Sequence, residues 1–169
     1  MTGHLCLSTL HANNSYHALS RIINMFPYDA RPGLLSDLSI GLRAIISQRL
    51  VRSKEGKQQP AVEILLNTSL IAELIKNGEI TQMKDAMEQS LYPGSQTFEQ
   101  ALCRLYLDGV VSYDEALSAA DSPTNLAWLV NQNSPTTAID LETEHADAER
   151  RITGDFVKLE IDPEFLNRP

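Results

Sequence analysis

The side chains best suited to chemistry gather at the beginning of this chain, in "TGHLCLSTLHANN", residues 2–14, with His4, Cys6 and His11 close together and His17 just beyond. Imidazole and thiolate both ligate zinc, so a metal centre is the first chemistry to weigh. The spacing argues against it. His4 and His11 are an odd number of residues apart and point to opposite faces of one extended strand, and no CxxC or HExxH pattern occurs. His4 taken alone reads equally well as a core histidine that has found a partner. His11 differs by position, because it falls at the carboxyl end of a predicted strand and just before a predicted helix. Ligands bind at that end of an open α/β sheet, and an imidazole there, with asparagines and helix N–H groups beside it, suits contact with a phosphate oxygen.

The elements that must position these residues follow from the pattern of apolar positions. Leu5, Leu7 and Thr9 alternate with His4, Cys6 and Ser8, and Leu10 follows, which predicts a buried strand over His4 to Leu10. Asn13 and Asn14 can cap a helix carrying Leu19, Ile22, Ile23 and Phe26, which Pro27 ends. After a breaker cluster at Arg31-Pro32-Gly33, the residues Leu34, Leu35, Leu38, Leu42, Ile45 and Ile46 predict a second amphipathic helix running into an extended "SQRLVRS". "SKEGKQQP" is a charged turn and "AVEILL" a strand, so the two extended segments predict a hairpin.

From Thr68 every segment to Asn131 has helical periodicity. Thr68 caps a helix with Leu70, Ile71, Leu74 and Ile75 that Asn77-Gly78 terminates, and Ile80, Met83 and Met87 mark another. Thr97 with Gln100 and Ser112 with Glu115 are capping-box patterns, and Ser122-Pro123 opens a last helix with Leu126, Leu129 and Val130. Residues 134–169 hold nine acidic and four basic residues, a net of −5 out of the chain's −8, and predict a flexible acidic tail dispensable for folding. The overall charge gives no electrostatic draw toward nucleic acid or anionic lipid. Two distant cysteines, no apolar run near 20 residues and no signal-peptide pattern lead to the expectation of a soluble, cytoplasmic chain with reduced thiols.

"TGHLCLSTLHANN" resembles the histidine box of the type II and type IV secretion ATPases, whose pattern is a glycine-histidine pair, a short apolar strand and Thr-Leu-His. "ALSRIINMFP", "DLSIGLRAIISQRLVR" and "AVEILLNTSLIAELIKNGE" are similar, in order, to segments downstream of that box in the type IV pilus retraction ATPases, the PilT/PilU family. "LCLSTLHANN", "SQRL", "EILLNTSLIAELI", "QTFEQAL" and the "DS" before the last helix look more like its PilU-like than its PilT-like members. The resemblance covers about residues 1 to 133. It implies an α/β fold: the C-terminal part of a RecA-like P-loop ATPase core over 1–68, a small helical C-terminal subdomain over 69–133, and the tail over 134–169.

The same resemblance implies a part in a hexameric motor that couples ATP hydrolysis to pilus disassembly in twitching motility. His11 would contact or sense the γ-phosphate and His4 would support the strand. Leu70, Ile71, Leu74 and Ile75 would lie on the retraction-associated helix, although Ala72 and Glu73 stand where that helix has arginine and asparagine. Expected partners are further copies or a paralogous retraction ATPase, and a pilus platform protein at the cytoplasmic face of the inner membrane, with no nucleic acid. ATP and Mg²⁺ would serve the complete protein. The family's phosphate-binding loop, Asp box, catalytic glutamate and PAS-like domain lie upstream of the box, and no GxxxxGK[ST] occurs here. A C-terminal segment of such a motor is therefore expected, one that neither holds nucleotide tightly nor hydrolyses ATP alone. Alternatives are a non-catalytic helical interaction module of the same fold and a small metal enzyme on His4, Cys6 and His11.

Single residues carry competing readings. Arg21 suits a nucleotide, a neighbouring subunit or a local ion pair. Arg43, Arg49, Arg52, Lys54 and Lys57 form either a contact for an acidic neighbour or a solvated hairpin edge. Glu63, inside an apolar strand, should pair with an arginine of the preceding strand if buried. Met83 and Met87 read as core packing more readily than as a binding face.

Overall fold

In a computed structural model of the chain, which describes residues 3–90 and 92–134, the first regular element is a helix and not the predicted strand. His4 to Leu10 has no regular secondary structure, and Leu5 and Leu7 are 77% and 88% exposed. A strand needs neighbours to satisfy its backbone groups and cover its apolar side chains. Among the described residues the one sheet has two strands, and they pair with each other. Helix α1 is Ser15–Asn24, with Asn14 as its N-cap in extended conformation.

A 3₁₀ turn at Tyr28–Ala30 leads into α2, Arg31–Gly41. The expected breaker thus forms the first turn of the helix, where a proline's missing N–H costs nothing. The helix also stops earlier than its apolar spacing predicts, because Leu42 turns extended and Ile45 and Ile46 belong to strand β1, Ala44–Arg52. Their place in the ladder explains it: Ile45 pairs with Leu65 and Ile46 with Ile64 of β2, Gln58–Leu66. A β-branched side chain with a cross-strand partner gains more there than in a helix following Gly41. The hairpin itself is as predicted, antiparallel and in unbroken register from Ala44 opposite Leu66 to Arg52 opposite Gln58.

The remaining elements follow their caps. Thr68 opens α3, Ser69–Asn77, and Gly78 closes it at φ +74°, a conformation that favours glycine. A 3₁₀ turn at Ile80–Gln82 precedes α4, Met83–Glu88. Thr97 and Gln100 form a complete capping box at the start of α5, Phe98–Leu107. Ser112 caps α6, Tyr113–Ala119, but its expected box is half made, since the Glu115 carboxylate accepts from the Arg52 backbone N–H instead. Helix α7 is Pro123–Asn133. The acidic tail from 135 onward lies outside the described residues.

The hairpin's inward face organises the core. At its turn end, Val51 and Ala61 pack with Phe98, Leu102, Val111, Ala116, Leu126 and Val130. At its other end, Leu65 packs with Leu19, Ile71, Leu74, Ile75, Ile80, Met83 and Met87. The two clusters draw on both sides of position 68, so hairpin and helices share their apolar burial. By register, Ser47, Arg49 and Glu63 occupy the same face between the clusters. That polar middle meets the start of α1.

Candidate functional site

The turn from His11 to Asn14 is held by its backbone and leaves its imidazole outside. Arg21, one face along α1, donates from its guanidinium to the His11 carbonyl at 2.9 Å. Arg49, on β1, donates to the Asn13 carbonyl at 3.3 Å. Asn14 is buried; its Oδ1 accepts from the His17 N–H and its Nδ2 donates to Asp121 Oδ2, both at 3.0 Å. The His11 side chain is exposed and lines an open cleft with His17, Ser20, Arg21 and Asn24. Two imidazoles and a guanidinium on one wall make it a surface for an anion's outer oxygens. The helix N-terminus adds less than its position promises: the Ser15 N–H goes to Glu63 Oε1 at 2.7 Å and the His17 N–H to the Asn14 cap. Recognition here rests on side chains.

Beneath the turn lies a buried polar seam. Glu63 is 4% exposed, and none of the ion pairs among the described residues includes it. The expected arginine pairing is not formed, because Glu63 stands opposite Ser47 in the ladder and points at the start of α1. Burial pushes its carboxyl up; the bonds from Ser15 oppose this, and the nearby charges of Asp121 and Glu99 reinforce it. Arg49 turns instead to the loop between α6 and α7, donating to the Ala119 carbonyl at 2.6 Å and to Asp121 Oδ1 at 2.5 Å, with its guanidinium 4.0 Å from the Phe98 ring centroid. Glu99, 1% exposed, accepts from Lys84 Nζ and from the Ser122 N–H, each at 2.8 Å. Burial lowers the Lys84 pKa, yet its bond to Glu99 and the charges of Glu99, Glu88 and Asp121 outweigh this and leave it raised.

The structure separates the other sequence candidates. His4 and Cys6 lie on the exposed leading segment, which is not part of a strand. Among those residues no group of three or more His, Cys, Asp or Glu is placed to hold a metal. Arg21 is in none of the ion pairs among the described residues, and its guanidinium binds the His11 carbonyl. Arg52, Lys54 and Lys57 are exposed, as a solvated hairpin edge requires, whereas Arg49 is turned inward. Met83 and Met87 are buried core. On α3, Ile71, Leu74 and Ile75 are buried in the chain's own core and Leu70 is 53% exposed. Sequence reasoning missed Asn14 beyond its cap and met Asp121 only as part of the "DS" before the last helix, where nothing signalled a partner 107 residues away.

Comparison with known proteins gives a consistent result. Residues 1–121 match the family described as "Type II/IV secretion system protein". The chain is 45% identical over 155 residues to the type IV pilus ATPase PilU of Pseudomonas aeruginosa, which covers 91% of this chain and 41% of PilU. It is 32% identical over 124 residues to the type IV pilus retractation ATPase PilT of the same organism, covering 73% of this chain and 36% of PilT. The chain therefore spans about two fifths of the length of these relatives. A crystal structure of the pilus retraction motor PilT with bound ADP superposes with a TM-score of 0.67 at 32% identity, over 75% of this chain and 35% of that one. The Yersinia pseudotuberculosis ATPase DotB, at 23% identity and a TM-score of 0.54 over 70% of this chain and 29% of its own, shares the fold. Among the described residues no helix is long and apolar enough to cross a membrane.

Proposed function

Because the chain belongs to the type II/IV secretion system protein family, and within it to the type IV pilus retraction ATPases, we propose that it supplies the histidine-box turn and helical C-terminal part of a retraction motor. His11 then contacts the γ-phosphate of ATP, and the motor converts hydrolysis into pilus disassembly and twitching motility. The observation that carries this reading is the His11 turn itself. Two guanidinium groups bind its backbone carbonyls and a buried asparagine caps the helix behind it, so the imidazole is presented from a fixed base.

The residues on this wall fit a phosphate. His11 and His17 can each donate a ring N–H to an anionic oxygen, and Arg21 adds positive charge beside them. A contact to an oxygen that gains charge as the terminal phosphoryl leaves is worth most in the transition state. Mg²⁺ on a nucleotide takes most of its ligands from phosphate and water, and among the described residues no group of three or more His, Cys, Asp or Glu is placed to hold a metal ion.

Assembly into a hexameric ring, alone or with a paralogous retraction ATPase, belongs to the same proposal, as does docking on a pilus platform protein at the cytoplasmic face of the inner membrane. Support comes from the outward apolar residues Ile46 and Leu50 on β1 and Leu70 on α3, which the chain's own core does not cover.

The test is a chimera in which residues 1–133 replace their counterpart in Pseudomonas aeruginosa PilU. It should hydrolyse ATP, and His11→Ala should lower kcat by on the order of 100-fold with KM little changed. An intact kcat in His11→Ala, with turnover abolished by His4→Ala, would reverse the assignment.

A further inference from the structure

We propose that the loop joining α6 and α7 sets the position of His11, with Arg49, Asp121 and Asn14 as the positioning residues that carry the connection. This rests on the reading of His11 as the phosphate-facing residue and extends it to the helical part of the chain. The path is continuous. Arg49 makes three bonds at once, to the Ala119 carbonyl, the Asp121 carboxylate and the Asn13 carbonyl, so one guanidinium ties the end of α6 to the peptide two residues beyond His11. Asp121 then reaches the same turn by its second oxygen, through Asn14 Nδ2. The loop and the turn are joined by a closed ring of hydrogen bonds, in which Arg49 is planar and the carboxylate uses both oxygens.

The anchor is firm on one side and open on the other. Ser122, next to Asp121, donates its N–H to buried Glu99, which Lys84 also binds, while Phe98 under the Arg49 guanidinium is fully buried. The loop is thus fixed to α4 and α5. The His11 carbonyl is held by Arg21, and its side chain is exposed. A displacement of α6 or α7, by a neighbouring subunit or by pilus load, therefore reaches the histidine through a short polar chain. Lysine in place of Arg49 cannot reproduce it, since an ammonium lacks the planar fork.

Amide hydrogen exchange on the full chain tests the connection without nucleotide. In Arg49→Lys and in Asp121→Asn, exchange at Ser15, His17 and Ala18 should accelerate about tenfold or more, while Ile45, Leu65 and Leu102 stay within about twofold of the parent. The milder Asn14→Ser, which keeps a cap and drops the donor to Asp121, should show the same local pattern if the other two unfold the chain. Unchanged exchange at the turn, or acceleration spread evenly over the fold, overturns the proposal. In the PilU chimera, Arg49→Lys should lower kcat with KM retained, and should add little to the loss already caused by His11→Ala. Additive losses would sink the positioning role. An inert His11→Ala substitution would instead sink the phosphate reading and leave the exchange result standing.

Discussion

Replacing Asn14 isolates what the turn contributes to the fold. Its amide orientation is dictated by its partners, because the His17 N–H can only donate and the Asp121 carboxylate can only accept. Asn14→Ala removes an N-cap worth about 1 kcal/mol. It also removes a hydrogen bond to a charged acceptor, which we discount to about 1 kcal/mol because Asp121 keeps Arg49 and its side chain is 25% exposed to water. The sum, about 2 kcal/mol, corresponds to a fall in Tm of roughly 6–10 °C for a domain of this size. Asn14→Asp keeps the capping oxygen but sets a carboxylate against Asp121, with Glu63 close behind at Ser15. At neutral pH it should lose at least as much stability as the alanine variant. It should regain part of that loss on acidification toward pH ~4.5, as one of the crowded carboxylates takes up a proton. Urea titrations followed by circular dichroism at both pH values measure this. A parent-like midpoint for Asn14→Asp at pH 7, or a cost under about 0.5 kcal/mol for Asn14→Ala, would refute the reasoning.

Glu63 has its folded pKa raised above the ordinary 4.5, so its contribution to stability is full below that value and is lost as pH rises through the folded pKa. Glu63→Gln keeps an acceptor for the Ser15 N–H without the buried charge; its urea midpoint should equal or exceed the parent's at pH 7 and decline less between pH ~4.5 and that point. Phe98→Ala empties the centre of one core cluster and removes the surface beneath Arg49, and should cost about 3–5 kcal/mol in the same titration. On α3, Ile75→Ala should cost about 2–5 kcal/mol, whereas exposed Leu70→Ala should stay within about 0.5 kcal/mol of the parent. If Leu70 meets a partner, its substitution lowers motor activity in the chimera at unchanged Tm.

Local chemistry determined a good part of this chain from its sequence alone. The caps at Asn14, Thr68 and Thr97, the glycine stop at Gly78 and the proline start at Pro123 each act within one helical turn, and each is found where the residue types put it. The hairpin is equally local, since its turn residues and β-branched runs lie side by side along the chain. The histidine box was legible as a family pattern. What the tertiary structure decided depends on partners distant in sequence. Whether His4 to Leu10 is a strand is a matter of which strands stand beside it, which its own alternation does not contain. Ile45 and Ile46 fit a helix by spacing and a strand by pairing, and the ladder opposite Leu65 and Ile64 settled them. Glu63 and Arg49 face the same side of one hairpin, yet each took its partner elsewhere: Ser15 for the one, Asp121 for the other. Hydrogen bonds and ion pairs of that kind depend on angles and burial that exist only after the helices have packed, and so the support of His11 became visible only in the folded chain.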